Sequence, residues 1–186
     1  MSHTVQAPVG APSAARPDRV EQRLRERFPE APFRRQEGPA VRDATLYVPA
    51  DRLVEVCTFL RDDPGLEFTL LSWTGGVDLL PRDPRFEVVY HLLSITHNRR
   101  FVLKVQVPEG DPHVPTVTGV WPTANWHERE TFDFYGIVFD GHPDLRRILL
   151  PDDWEGHPLL KTEELGGVST RYKGAFIPPI DQRTAH

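Results

Sequence analysis

RFEVVYHLLSITHNRRFVLKVQVP, residues 85–108, decides the fold. Two runs rich in β-branched and aromatic residues, 85–96 and 100–108, flank His97-Asn98-Arg99, which reads as a hairpin turn. A further run, LEFTLLSWTGGVDLL (66–80), supplies a third strand, with Gly75-Gly76 expected as a bulge or bend.

Upstream, PADRLVEVCTFLRDDPG (49–65) places Leu53, Val56, Cys57 and Leu60 on one helical face, and Pro64-Gly65 ends it. Residues 32–37 and 44–48 read as two strands around a Gly38-Pro39 turn. PDRVEQRLRERF (17–28) carries Val20, Leu24 and Phe28 at helical spacing. The order helix, two strands, helix, three strands, helix predicts an α+β fold in two layers, with one mixed β-sheet and an extended C-terminal tail. The expected division is a disordered leader at 1–16, an α+β domain at 17–136 and a partner-binding tail at 137–186.

The 186 residues are 39% hydrophobic and 26% charged, the composition of a globular domain, with 19 Pro. Cys57 is the one cysteine, so an internal disulfide and a four-thiolate cluster are both excluded, and a reducing compartment is expected. Residues 1–17 lack the apolar stretch of a secretory signal, and no run approaches the ~20 apolar residues of a membrane span. The net charge of −5 is split: residues 1–42 hold eight Arg against five acids, while the remainder is acidic. An acidic main body argues against nucleic-acid binding.

TANWHERETFDFYG (123–136) predicts a third helix, with Thr123 as N-cap and Gly136 beyond its C-terminus. Its aromatics, Trp126, Phe132, Phe134 and Tyr135, point to several sides, so more than one surface should cover it.

Beyond it, FDGHPDL (139–145) returns as WEGHPLL (154–160). Glycine permits a tight turn and proline holds the preceding histidine extended, so each copy predicts a corner whose His142 or His157 hydrogen-bonds backbone. Eight large apolar residues (Phe139, Leu145, Ile148, Leu149, Leu150, Trp154, Leu159 and Leu160) crowd this proline-broken segment. At about 1.5–3 kcal/mol each, their burial rivals the whole net stability of a domain, ~5–15 kcal/mol. A small sheet offers them little spare area, so the expectation is that a partner protein houses the tail. Arg146 and Arg147 suit bidentate pairing with the carboxylates of that partner.

Motifs for chemistry are absent from the sequence: no HExxH, no CxxC, no GxGxxG, no P-loop and no GxSxG. His127, Glu128, Glu130, Asp133, His142, Asp144 and His157 are close in sequence, but Arg129 lies one turn from Asp133 and would discourage a cation there.

Residues 128–161, ERETFDFYGIVFDGHPDLRRILLPDDWEGHPLLK, resemble the signature of the C subunit of the proton-translocating NADH:quinone oxidoreductase, respiratory complex I. The matching positions are Glu128, Arg129, Glu130, Asp133, Gly136, Ile137, the run Gly141–Leu149, Asp153-Trp154 and Gly156–Leu159. The resemblance implies a non-catalytic structural subunit of the hydrophilic arm, peripheral at the cytoplasmic side of the cell membrane. It implies no cofactor on this chain, with FMN and iron–sulfur clusters on partner subunits. It implies a tail that embraces the complex's D subunit, the quinone-site subunit that helps form the quinone cavity. On that basis the expected interface comprises Glu128, Arg129, Glu130 and Asp133 on the helix, the corners Gly141, His142, Pro143, Asp144 and Gly156, His157, Pro158, together with Arg146, Arg147 and Trp154. Where the family commonly continues Pro-Leu-Arg-Lys-Asp-Phe-Pro, this chain has Pro158-Leu159-Leu160-Lys161-Thr162-Glu163-Glu164.

Three other readings compete. The same module would serve a related membrane-bound hydrogenase or a complex with another electron donor. A stand-alone metal-dependent hydrolase would use His127, Glu130, Asp133 and His142. An anion-binding module would rest on Arg146 and Arg147 alone.

Overall fold

In the computed structural model, residues 18–38, 41 and 43–163 are described, together with the backbone of 171–172 and 175–176. The expected leader and most of 164–186 lie outside the described residues.

Helix α1, Arg19–Arg27, begins where the Asp18 carboxylate accepts the Val20 N–H at 3.3 Å. Glu21 in its first turn and Arg25 and Arg27 in its last complement the helix dipole. Val20 and Leu24 point into the core, and Phe28 stacks edge-on against Phe33 and Phe59. Short strands β1 (Arg34–Arg35) and β2 (Thr45–Tyr47) follow. A 3-10 turn at Ala50–Arg52 leads into α2, Leu53–Asp62, whose Leu53, Val56, Cys57 and Leu60 are fully buried, as the periodicity predicts.

Strands β3 (Leu70–Asp78), β4 (Phe86–Ser94) and β5 (Arg99–Val107) form an antiparallel meander, with Asn98 at φ 45° in the β4–β5 turn. β2 pairs parallel with β5 and antiparallel with β1, so the sheet is mixed, in order β1-β2-β5-β4-β3. Alternate residues of β4 and β5, including Val88, Tyr90, Leu92, Leu103 and Val105, join α1 and α2 in one core.

Three expectations need correction. Gly75 and Gly76 are no bulge: they pair in register with Val89 and Val88, and the register break falls between Leu71 and Trp73. The two glycines make room for aromatic neighbours. A Cβ on Gly75 would stand 2.2 Å from the Trp73 ring, and one on Gly76 2.7 Å from Tyr135. Thr123 makes no side-chain capping bond to the third helix, α3 (Ala124–Tyr135). The body also extends past 136. Strand β7 (Val138–Asp140) pairs parallel with β6 (His113–Pro115), and Ile137 and Phe139 are buried in the core. Two-residue strands β8 (Arg171–Tyr172) and β9 (Ala175–Phe176) pair antiparallel.

Candidate functional site

The site is built on α3 and the irregular chain that returns over it. Gly136 ends the helix in the left-handed region (φ 73°), donating its N–H to the Phe132 carbonyl at 2.9 Å. This stop turns the chain into β7, after which Gly141 and Gly156 (φ 80° and 79°) make the two corners of the doubled phrase.

Each corner delivers its histidine to α3. His142 Nδ1 accepts the Asp144 N–H at 3.0 Å, which leaves the proton on Nε2 to donate to the Asn125 carbonyl at 3.2 Å. His157 Nδ1 lies 2.9 Å from the Asp133 carbonyl, its ring edge-on to Phe132 and pressed over Gly136. The repeated phrase therefore places two imidazoles near opposite ends of one helix, in the structural role its sequence suggests.

Between the corners, Asp133 anchors the chain. Its side chain is fully buried, and Oδ2 accepts the backbone N–H groups of Ile148, Leu149 and Leu150 at 3.1, 2.9 and 2.9 Å. Oδ1 accepts from the Arg147 guanidinium at 2.8 Å. Burial alone would raise the pKa of this carboxyl, but the Leu150 and Leu149 amides, the guanidinium and the Ile148 amide outweigh it and hold the value below the ordinary range. Arg147 also donates to the Gly156 carbonyl at 3.0 Å, tying the middle of the segment to the second corner. Arg129 lies over the exposed Trp126 ring at 5.4 Å and donates to the carbonyls of Arg146 and Arg147 at 3.2 and 3.0 Å. Further on, the Leu159 N–H reaches the Phe134 carbonyl and the Lys161 N–H reaches Asp78, itself locked to the buried Arg85 at 2.7 Å.

These contacts correct the central expectation about the tail. Over residues 137–163 it has a home on its own domain. Phe139 is a core residue, and Leu145 and Leu160 pack partly against the core. Arg147 finds its carboxylate within the chain. Glu128 and Asp133, expected to meet a partner, are fully buried and engaged internally, Glu128 by Thr116 and the Val117 amide. What stays outward is a smaller set: Trp126 and Leu149, each 62% exposed, and Leu159 at 50%. Gly141, Pro143, Asp144, Glu130, Arg146 and Gly156 are also exposed, Arg146 pairing with Asp144 at 2.9 Å, while Trp154 and Pro158 are half-buried.

No group of three His, Cys, Asp or Glu side chains close enough to hold a metal ion occurs among the described residues. The proposed hydrolase ligands His127, Glu130, Asp133 and His142 are not gathered, and Asp133 already has a full set of hydrogen-bond donors. Among the described residues no helix is long and apolar enough to cross a membrane. The sequence reading missed the acceptors on α3, Asn125 and Asp133 as carbonyls, because every residue offers one.

Residues 46–169 match the family described as respiratory-chain NADH dehydrogenase, 30 Kd subunit. The chain is 54% identical over 145 residues to the C subunit of NADH-quinone oxidoreductase from Saccharopolyspora erythraea, covering 77% of this chain and 58% of the relative. It is 55% identical over 147 residues to the corresponding C subunit from Roseiflexus sp., covering 79% and 83% respectively. The chain thus spans less than two thirds of the Saccharopolyspora relative's length. Among solved structures, the trypsin-resistant fragment (1-134) of Nqo5 is similar, with a TM-score of 0.55 and 38% identity, covering 68% of this chain and 99% of the fragment.

Proposed function

The chain belongs to the family of the 30-kDa subunit of respiratory-chain NADH dehydrogenase, and on that premise we propose that it is a non-catalytic scaffold of an NADH:quinone oxidoreductase. In this reading it sits in the hydrophilic arm, peripheral at the cytoplasmic side of the cell membrane. It holds the quinone-site subunit against its α3 and tail. Electron transfer from NADH through FMN and iron–sulfur clusters to quinone, coupled to proton translocation, runs on the partner subunits.

One observation carries the reading. The tail is fastened to α3 mainly through polar groups, centred on Asp133, and this leaves Trp126, Leu149 and Leu159 outward on the helix-and-tail surface. A segment held rigid from behind while showing large apolar side chains suits docking better than catalysis. Glu130, Arg146 and Asp144 supply a charged rim around those anchors.

The test is affinity purification of the tagged full chain from native membranes, with the co-purifying subunits identified by mass spectrometry. A flavin- and NADH-binding subunit together with the quinone-site subunit is the expected result. Recovery of the chain without them, or with a nickel subunit, overturns the reading.

A further inference from the structure

Glu128, on α3, has no exposed surface. Its Oε1 accepts the Val117 N–H at 2.8 Å and its Oε2 meets the Thr116 hydroxyl. Among the described residues, the titratable groups that face it are Cys57 of α2 and Tyr90 of β4. Burial holds that thiol and that phenol protonated well above their ordinary ranges, so neither supplies a charge. The Tyr90 hydroxyl, itself buried, has no hydrogen-bond partner among the described residues and donates nothing to the carboxylate. No Arg, Lys or His forms an ion pair with Glu128 among the described residues. A dry carboxylate with two donors and no counter-ion is a costly anion, whereas a neutral acid at the same place is well accommodated.

The neighbouring hydroxyls accommodate both forms. Thr116 Oγ1 lies 3.0 Å from Thr118 Oγ1 and accepts the Thr118 N–H at 3.2 Å. With the carboxyl ionised, the Thr118 hydroxyl donates to Thr116 and the Thr116 hydroxyl donates to Oε2. With the carboxyl protonated, Oε2–H donates to Thr116 and Thr116 donates to Thr118. The heavy atoms stay in place and only the hydrogens reverse. Thr118 is partly exposed, so this chain of hydroxyls connects solvent to the buried group.

We propose that Glu128 is a reversible proton-binding site of the folded chain, loaded from solvent through the hydroxyls of Thr118 and Thr116. One proton enters at Thr118 as Thr118 passes its own to Thr116 and Thr116 passes its own to Oε2. The carboxylate becomes neutral, and no electrons move. Burial supports this: it pushes the Glu128 carboxyl up to about 7 against the pull of its Thr116 and Val117 donors.

Carbon-13 NMR of the labelled full chain tests it, following the Glu128 Cδ shift with pH. The resonance is assigned by its loss in Glu128→Gln, or by through-bond correlation to the Glu128 backbone if that variant fails to fold. The expected midpoint makes Glu128 roughly 300-fold weaker an acid than an exposed glutamate. A carboxyl still ionised at about pH 5, or still neutral at about pH 9, overturns the proposal. Thr116→Val, checked as folded by its amide spectrum, removes a donor to the anion and should raise the midpoint. An unchanged midpoint overturns the role given to the hydroxyls.

Discussion

Arg147 and Asp133 meet at 2.8 Å, the carboxylate fully buried and the guanidinium 18% exposed. This pair and the three amides beside it hold residues 147–150 of the tail to α3. Asp133→Asn is expected to lower stability by about 3–5 kcal/mol, the typical loss when a buried pair is broken. Arg147→Met leaves the amides in place and should lose less, about 1.5–3 kcal/mol. Denaturant titration gives the order, and limited trypsin digestion should show faster cleavage after Arg146 and Lys161 in Asp133→Asn. Equal loss in both variants would contradict the anchoring role given to Asp133.

Gly136 is constrained twice, by its left-handed backbone and by the His157 ring, 2.7 Å from where a Cβ would stand. Gly136→Ala should cost about 1–3 kcal/mol. Gly119, with nothing within 4 Å of its own hypothetical Cβ, is the control, and Gly119→Ala should change stability by no more than about 0.5 kcal/mol. Thermal unfolding of the two variants makes the comparison.

Acid should weaken the Asp78–Arg85 lock. The guanidinium, with the Leu80 and Lys161 amides, outweighs burial and brings the Asp78 carboxyl down to about 2, below its ordinary 3.8. A depressed value stabilises the fold above the ordinary pKa, and that contribution disappears as pH falls through about 2. The shift corresponds to about 2 kcal/mol. The stability difference between the native chain and Asp78→Asn should therefore narrow by about that amount between roughly pH 5 and pH 2. A constant difference across urea titrations would refute it.

Glu128 runs the opposite way. Its folded value of about 7 lies above the ordinary 4.5, so the fold favours its protonated form. Stability from this group is fullest below the ordinary value and declines as pH rises through about 7, by about 3 kcal/mol in all. Glu128→Gln should flatten that decline. Urea midpoints of the two proteins, measured across the range, give the answer.

Leu149 tests the docking surface. At 62% exposed it contributes little within the chain, so Leu149→Asp should leave the isolated protein within about 0.5 kcal/mol of the original. In membranes the same substitution should lower the amount of assembled complex several-fold, with turnover per complex nearly unchanged. Normal assembly with slow turnover would place Leu149 in the chemistry instead.

The helices and the meander were legible because their apolar residues keep one period: Leu53, Val56, Cys57 and Leu60 announce a buried helical face, and all four are buried. β6 and β7 were not. Each has three residues, and the two pair in parallel across the whole of α3, so no local pattern marks them. The anchor at Asp133 was hidden for another reason: its principal partners are main-chain amides, which every residue offers except proline. Counting apolar side chains made the tail look homeless, since that count omits what a buried carboxylate can hold. The Gly75-Gly76 pair shows the reverse error, glycines taken as a break where the demand is close approach by Trp73 and Tyr135.

Arg129 grips carbonyls of the returning segment, while one turn along the same helix Asp133 grips the amides that follow. A peptide chain has polarity, and these two opposite charges read it. Run backwards, or slid by a residue or two, the strap would present oxygen to carboxylate and nitrogen to guanidinium. Direction and register are thus written into the helix as a plus followed by a minus, and a swap of the two charges should leave the strap with nowhere to lie.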